Sequence, residues 1–205
     1  MEGRNIAARV RAYLLVAKAV VRTMLCVSAV FIVAAIPVLT VGAAVTAAIA
    51  VTFRTSQLAH GPHQSSIRTQ MRFFWRRWWQ ERWRALPLSL LALSPLLPGL
   101  VGRRWLLWGS RSPLEAIVGL GLLAVVTLWV LRAGSLLASY PFLAGSTAVR
   151  NAAYRLWERP RQTVGALGVI WVVLSVAIVV HPLLIPFVLG ALSVWEGIMY
   201  GTRVD

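Results

Sequence analysis

His60-Gly61-Pro62-His63 places two imidazoles in one short segment, and His181 adds a third. Imidazole pairs ligate zinc, but no cysteine or carboxylate accompanies these two, and solvated loop histidines are the plainer reading. Carboxylates within apolar spans mark proton or ion paths. Glu115 and Glu196 adjoin apolar runs, yet each stands near a run's end, where it reaches an interface. Gly119-Leu120-Gly121 followed by Ala124 has the spacing of a dinucleotide fingerprint, but it lies inside an apolar run and not at a strand-to-helix turn. Cys26, the single cysteine, forms no intrachain disulfide. With no nucleophile beside a base, no phosphate loop and no metal-ligand spacing, the residues assign no enzymatic activity, no cofactor and no metal.

The remaining chemistry belongs to arginine and tryptophan. On a 3.6-residue period Ile67, Met71, Phe74, Trp75, Trp78, Trp79 and Leu86 fall on one face, with Arg72, Arg76, Arg77, Gln80 and Arg84 around the other. Arg68, Phe73, Glu81 and Arg82 depart from the pattern. Rings favour the headgroup zone and guanidinium groups attract anionic lipid, so residues 65–84 read as a cytoplasmic interfacial amphipathic helix. Arg72, Trp75, Arg76, Arg77, Trp78 and Trp79 are its candidate membrane-interface or partner-docking residues. Interleaved Trp and Arg also suit nucleic acid, but the apolar surroundings argue against that partner. Arg155-Leu156-Trp157-Glu158-Arg159 echoes Arg77-Trp78-Trp79-Gln80-Glu81-Arg82, as a weak repeat or as convergent interface chemistry.

The elements that carry these residues are apolar. Of 205 residues 59% are hydrophobic and 13% charged, and a formal charge of +15 is confined to short connections. No charge lies between Arg22 and Arg54, Arg84 and Arg103, or Arg161 and Glu196. A bilayer core needs about 20 helical residues. Six spans follow, near residues 13–36, 40–60, 85–101, 114–131, 164–180 and 183–200, in one all-α transmembrane bundle covering residues 1–205. Pro37, Thr40 and Gly42 form the expected helix break between the first two, as a hairpin or a re-entrant kink. Pro141 is the expected kink if the fourth helix continues to Val149. A removable leader, with residues 4–22 as its charged part, fits poorly because that part is long.

Orientation follows from the cations. With the N-terminus inside, the cytoplasmic side holds five up to Arg22, seven from Arg54 to Arg84, five from Arg132 to Arg161, and Arg203. Only Arg103, Arg104 and Arg111 fall outside, which places both termini in the cytoplasm of a multi-pass cell-membrane protein. Ala43, Ala44, Ala47 and Ala48, and Gly197 with Gly201, are spaced for close helix packing, within the bundle or between copies.

Ile36-Pro37-Val38-Leu39-Thr40-Val41-Gly42-Ala43 followed by Ala47-Ala48 resembles the first-hairpin signature of the YesL-like bacterial membrane proteins. Phe73-Phe74-Trp75, Tyr140-Pro141-Phe142 and Arg159-Pro160 resemble later positions of that family. The chain departs from it in the His60 to His63 loop and in Ala43, where a proline often follows the glycine. The resemblance implies an accessory or assembly role beside a carbohydrate transporter subunit, and it supplies no ligand residues. A transporter in its own right, or a lipid-interacting protein, is the competing expectation. Anionic headgroups are the expected lipid partner, and the oligomeric state is left open.

Overall fold

The computed structural model describes residues 21, 25, 26, 28, 40–58, 66–96, 113–181 and 184–201. Alanine dominates α1 (Val41–Leu58), and Ala43, Ala44, Ala47 and Ala48 are all fully buried. The helices that follow are α2 (Ile67–Glu81), α3 (Leu86–Leu93) with a 3-10 turn at Ser94–Leu96, and α4 (Pro113–Ser139). After them come α5 (Gly145–Glu158), α6 (Pro160–Val180) and α7 (Ile185–Gly201). The described residues are all-helical, with no strand among them.

Proline sets several boundaries. Pro113 and Pro160 occupy first turns, where a missing N–H costs nothing. Pro141 follows the end of α4, and the chain turns into α5. The expected kink is therefore a helix end, and residues 145–158 form a separate helix.

Small residues make α1 the centre of the packing. It meets α2, α3, α4 and α7. A Cβ on Gly197 of α7 would stand 2.8 Å from the Thr52 Cβ, and one on Gly134 of α4 would stand 2.8 Å from the Val45 Cγ1. Both approaches demand glycine. The α1 hydroxyls do not compete, because Thr46 and Thr52 donate to the carbonyls of Gly42 and Ala48. The small-residue spacing thus serves packing inside the bundle at Ala43 to Ala48 and at Gly197.

Among the described residues two helices are long and apolar enough to cross a membrane, Ile117–Ser139 and Pro160–Val180; Val41–Thr55 and Ile185–Met199 are apolar but shorter. The two long helices overlap the expected fourth and fifth spans, while the two shorter ones lie within the expected second and sixth without the length to span, so two of the six expected spans are met among the described residues. The third differs: α3 and its 3-10 turn cover about 18 Å, short of the roughly 30 Å core, and residues 97–101 lie outside the described residues. The first expected span, 13–36, lies outside them too, apart from Val21, Leu25, Cys26 and Ser28, which are helical.

The two long helices are buried to different degrees. The α4 window is 56% buried and that of α6 only 22%. Val164, Val172, Val176, Val179 and Val180 of α6 are all more than half exposed.

Candidate docking site

Ser66 caps α2, its hydroxyl accepting from the Thr69 N–H at 3.3 Å. From there α2 runs antiparallel along α1. Near one end the Arg54 guanidinium lies 4.7 Å from the Phe73 ring centroid. At the other, a Cβ on Gly42 would stand 2.6 Å from the Ala85 carbonyl oxygen, and the Gly42 N–H donates to Ser89 Oγ at 3.0 Å. Gly42 and Thr40 therefore do not form a turn. Thr40 is the 3-10 entry to α1, Gly42 sits in its first turn as a contact point for α3, and Pro37 lies outside the described residues.

The faces of α2 differ from the sequence expectation. Successive residues turn by 100°, and the stripe facing α1 and α4 is centred on Gln70, Phe74, Arg77 and Glu81. Phe74 and Glu81 are buried, while Phe73, Arg77 and Trp78 are half-buried. On the opposite side Arg72, Trp75, Arg76, Trp79 and Trp83 are exposed together. Aromatic and cationic residues thus share one outward face, and Arg77 and Trp78 leave the candidate set for the interior. Phe73 and Glu81, which broke the expected pattern, belong to the inward stripe.

Glu81 explains why Arg77 turns inward. Its Oε1 accepts from Arg77 at 3.0 Å and Arg84 at 2.8 Å, and only 3% of its side chain is exposed. Arg84 then closes the end of α4. Its Nε donates to the Leu143 carbonyl at 2.6 Å, and its Nη2 donates to those of Tyr140 at 2.6 Å and Leu137 at 3.4 Å. The Leu137 carbonyl is among the last of α4, which lack intrahelical partners and carry negative partial charge, while those of Tyr140 and Leu143 belong to the turn that follows; one guanidinium fork ties all three together. Gly145 completes the junction: a Cβ there would collide with the Arg84 carbonyl oxygen.

Freed of structural duty, the outer face organises itself by stacking. Arg82 lies 3.7 Å over Trp79 and 5.5 Å from Trp83. Trp75 meets Phe74 and Trp78 edge-on, at 5.9 and 5.4 Å between ring centroids. Arg72 and Arg76 are exposed on the same face as Trp75 and Trp79.

A second charged feature lies inside the bundle. Glu196 of α7 is fully buried, not at an interface, and its Oε1 lies 3.3 Å from Nη1 of Arg132, which is itself buried in α4 and belongs to no connection. Two lone opposite charges in apolar runs were the available signal. Neither residue lines the bundle's cavity of about 60 Å³, which is bounded by Val41, Val45, Leu131, Leu174 and other apolar side chains, with Thr127 as its polar member.

The third feature is α5, absent from the sequence expectation. Gly145, Ala148 and Ala152 are buried against α4 and α3, and Trp129 Nε1 donates to the Val149 carbonyl at 2.8 Å. Arg150, Tyr154, Arg155 and Trp157 face outward. The two segments that echo one another in sequence thus lie on two amphipathic helices, both joined to the end of α4. His60, His63, Arg103, Arg104 and Arg111 lie outside the described residues, and His181 is an exposed residue closing α6.

Comparison with protein-family models, with curated proteins and with solved structures finds no match.

Proposed function

We propose that the chain is a multi-pass membrane protein acting as an accessory or assembly component, with the outward face of α2 as its docking surface on the cytoplasmic side. The observation that carries the reading is the division of labour among the α2 arginines. Arg77 and Arg84 are spent on Glu81 and on the end of α4, while Arg72 and Arg76 lie exposed on the face of Trp75, Trp79 and Trp83 and make no ion pair among the described residues. Exposed interleaved indoles and guanidinium groups suit an acidic partner surface or anionic headgroups.

Membrane placement is supported by α6. An apolar helix used as a soluble core is mostly buried, whereas this one exposes most of its valines. The six-span topology with cytoplasmic termini, and the companionship of a carbohydrate transporter, extend the same proposal; they rest on the cation distribution and on the resemblance of residues 36–48, 73–75, 140–142 and 159–160 to the YesL-like family.

Affinity purification of the full chain in mild detergent tests the docking role. The expected result is recovery of a transporter subunit, lost in Arg72→Ala/Arg76→Ala while the protein stays folded. Retention of the partner by that variant would overturn the assignment of the α2 face.

The Arg132–Glu196 pair favours a second reading, a small-molecule transporter, because ionisable side chains inside a bundle line substrate and ion paths. Solute uptake by purified protein in liposomes, abolished by Glu196→Gln, would favour it over the accessory role.

A further inference from the structure

α5 joins the end of α4 to the start of α6, so in the proposed placement it lies at one membrane face, at headgroup depth. Between α5 and the end of α4 there is an open groove of about 500 Å³. It is lined by Leu136, Tyr140 and Leu143 on the α4 side and by Asn151, Tyr154, Arg155 and Glu158 of α5.

The groove combines a cation and an anion that the fold leaves unpaired. Arg155 and Glu158 are both exposed, and among the described residues neither makes an ion pair. They are three residues apart on a helix and so face the same way, about 5–6 Å apart at Cβ. A simple anion would meet attraction from Arg155 and repulsion from Glu158. A ligand bearing both charges would meet neither conflict.

We propose that this groove binds a phospholipid with a zwitterionic ethanolamine headgroup. The phosphate takes the Arg155 guanidinium, whose planar fork matches phosphate oxygens. The primary ammonium, two carbons away, donates hydrogen bonds to the Glu158 carboxylate. Tyr140 and Tyr154 lie where interfacial rings flank a headgroup, and the half-buried Leu143 offers an apolar surface to the first acyl carbons. The match is one of charge order: phosphate toward one turn of α5, ammonium toward the next. The proposal rests on the membrane placement of α4 and α6 and not on the docking role of α2. Resistance of the chain to alkaline extraction from membranes tests that placement separately.

The experiment is lipid retention by the full chain in detergent, read by native mass spectrometry. Phosphatidylethanolamine, phosphatidylcholine and phosphatidylglycerol with identical acyl chains are supplied in turn. Choline keeps the positive charge but cannot donate a hydrogen bond, and glycerol carries no cation. The expected result is about tenfold stronger retention of the ethanolamine lipid than of either other lipid, the scale of one charge-assisted hydrogen bond. Arg155→Ala weakens retention of all three by about tenfold, and Glu158→Gln removes the preference for ethanolamine. Trp157→Ala, outside the groove, leaves both unchanged. Equal retention of the three lipids, stronger retention of the glycerol lipid, or wild-type selectivity in Glu158→Gln would each overturn the proposal. If a variant is not monodisperse, the headgroup series on the wild-type chain still decides it.

Discussion

Removing the Arg84 side chain tests whether the arginine-rich segment holds the fold together at the end of α4. Arg84→Ala deletes contacts of 2.6 Å to the Leu143 carbonyl, 2.6 Å to the Tyr140 carbonyl and 2.8 Å to Glu81. A hydrogen bond to a charged group contributes about 1.5–3 kcal/mol, so the three together set a scale of about 4–5 kcal/mol at the lower end. The side chain is 22% exposed, and water replaces part of what is lost, most easily at the Tyr140 carbonyl. The expected loss of unfolding free energy is about 3 kcal/mol. Arg84→Lys keeps the charge but cannot span two carbonyls and a carboxylate, so about half of that loss remains. Reversible unfolding in mixed micelles, followed by far-ultraviolet circular dichroism, measures both. A loss below about 1 kcal/mol for Arg84→Ala, or a lysine variant as stable as wild type, would refute the clamp.

Gly145→Ala drives a methyl group into the Arg84 carbonyl oxygen and is expected to destabilise by about 2 kcal/mol or more in the same assay, with no effect if the junction is loose. Arg132→Met and Glu196→Leu singly are each expected to cost about 3–5 kcal/mol, because each leaves the other charge buried alone. The double variant recovers most of that loss; a double as unstable as the singles would show that the two charges do not act as a pair. Gly168→Ala places its methyl group in open space and is expected to stabilise by roughly 0.5–1 kcal/mol through helix propensity. Loss of stability or of a larger assembly on that change would show that another chain covers this side of α6.

The long apolar helices were legible because burial in a membrane or among helices imposes long uncharged runs, and proline marks their ends. The expected span at residues 164–180 lies within α6, and that at 183–200 nearly coincides with α7. The boundary between α4 and α5 was hidden because the uncharged run continues past Pro141 to Val149. A period was still present: Gly145, Ala148 and Ala152 form a small-residue face, with Arg150, Tyr154 and Trp157 opposite. Read as the start of a new helix after Pro141, that face gives α5 directly.

The site was legible in composition but not in partition. A helical wheel drawn for a lone interfacial helix sorts residues by polarity, so it sets the aromatic residues against the arginines. Tertiary structure sorts them by partner. Arg77 and Arg84 go inside because Glu81 and the carbonyls of Leu137, Tyr140 and Leu143 await them, and those carbonyls lie 53 to 60 residues away in sequence. Trp75 and Trp79 stay outside because Phe74 and Trp78 already fill the contact with the bundle. The same partition bears on orientation. Arg132 is a helix residue paired with Glu196 and no longer counts among connecting cations, and Arg77 and Arg84 are held by the fold. Withdrawing all three still leaves Arg54, Arg68, Arg72, Arg76 and Arg82 before α3 and Arg150, Arg155, Arg159 and Arg161 after α4, against Arg103, Arg104 and Arg111 between them. In the proposed six-span topology the charge bias therefore keeps its sign when only residues outside the clamp and the buried pair are counted, and that proposal puts the faces carrying Arg72, Arg76 and Arg155 on its cationic side.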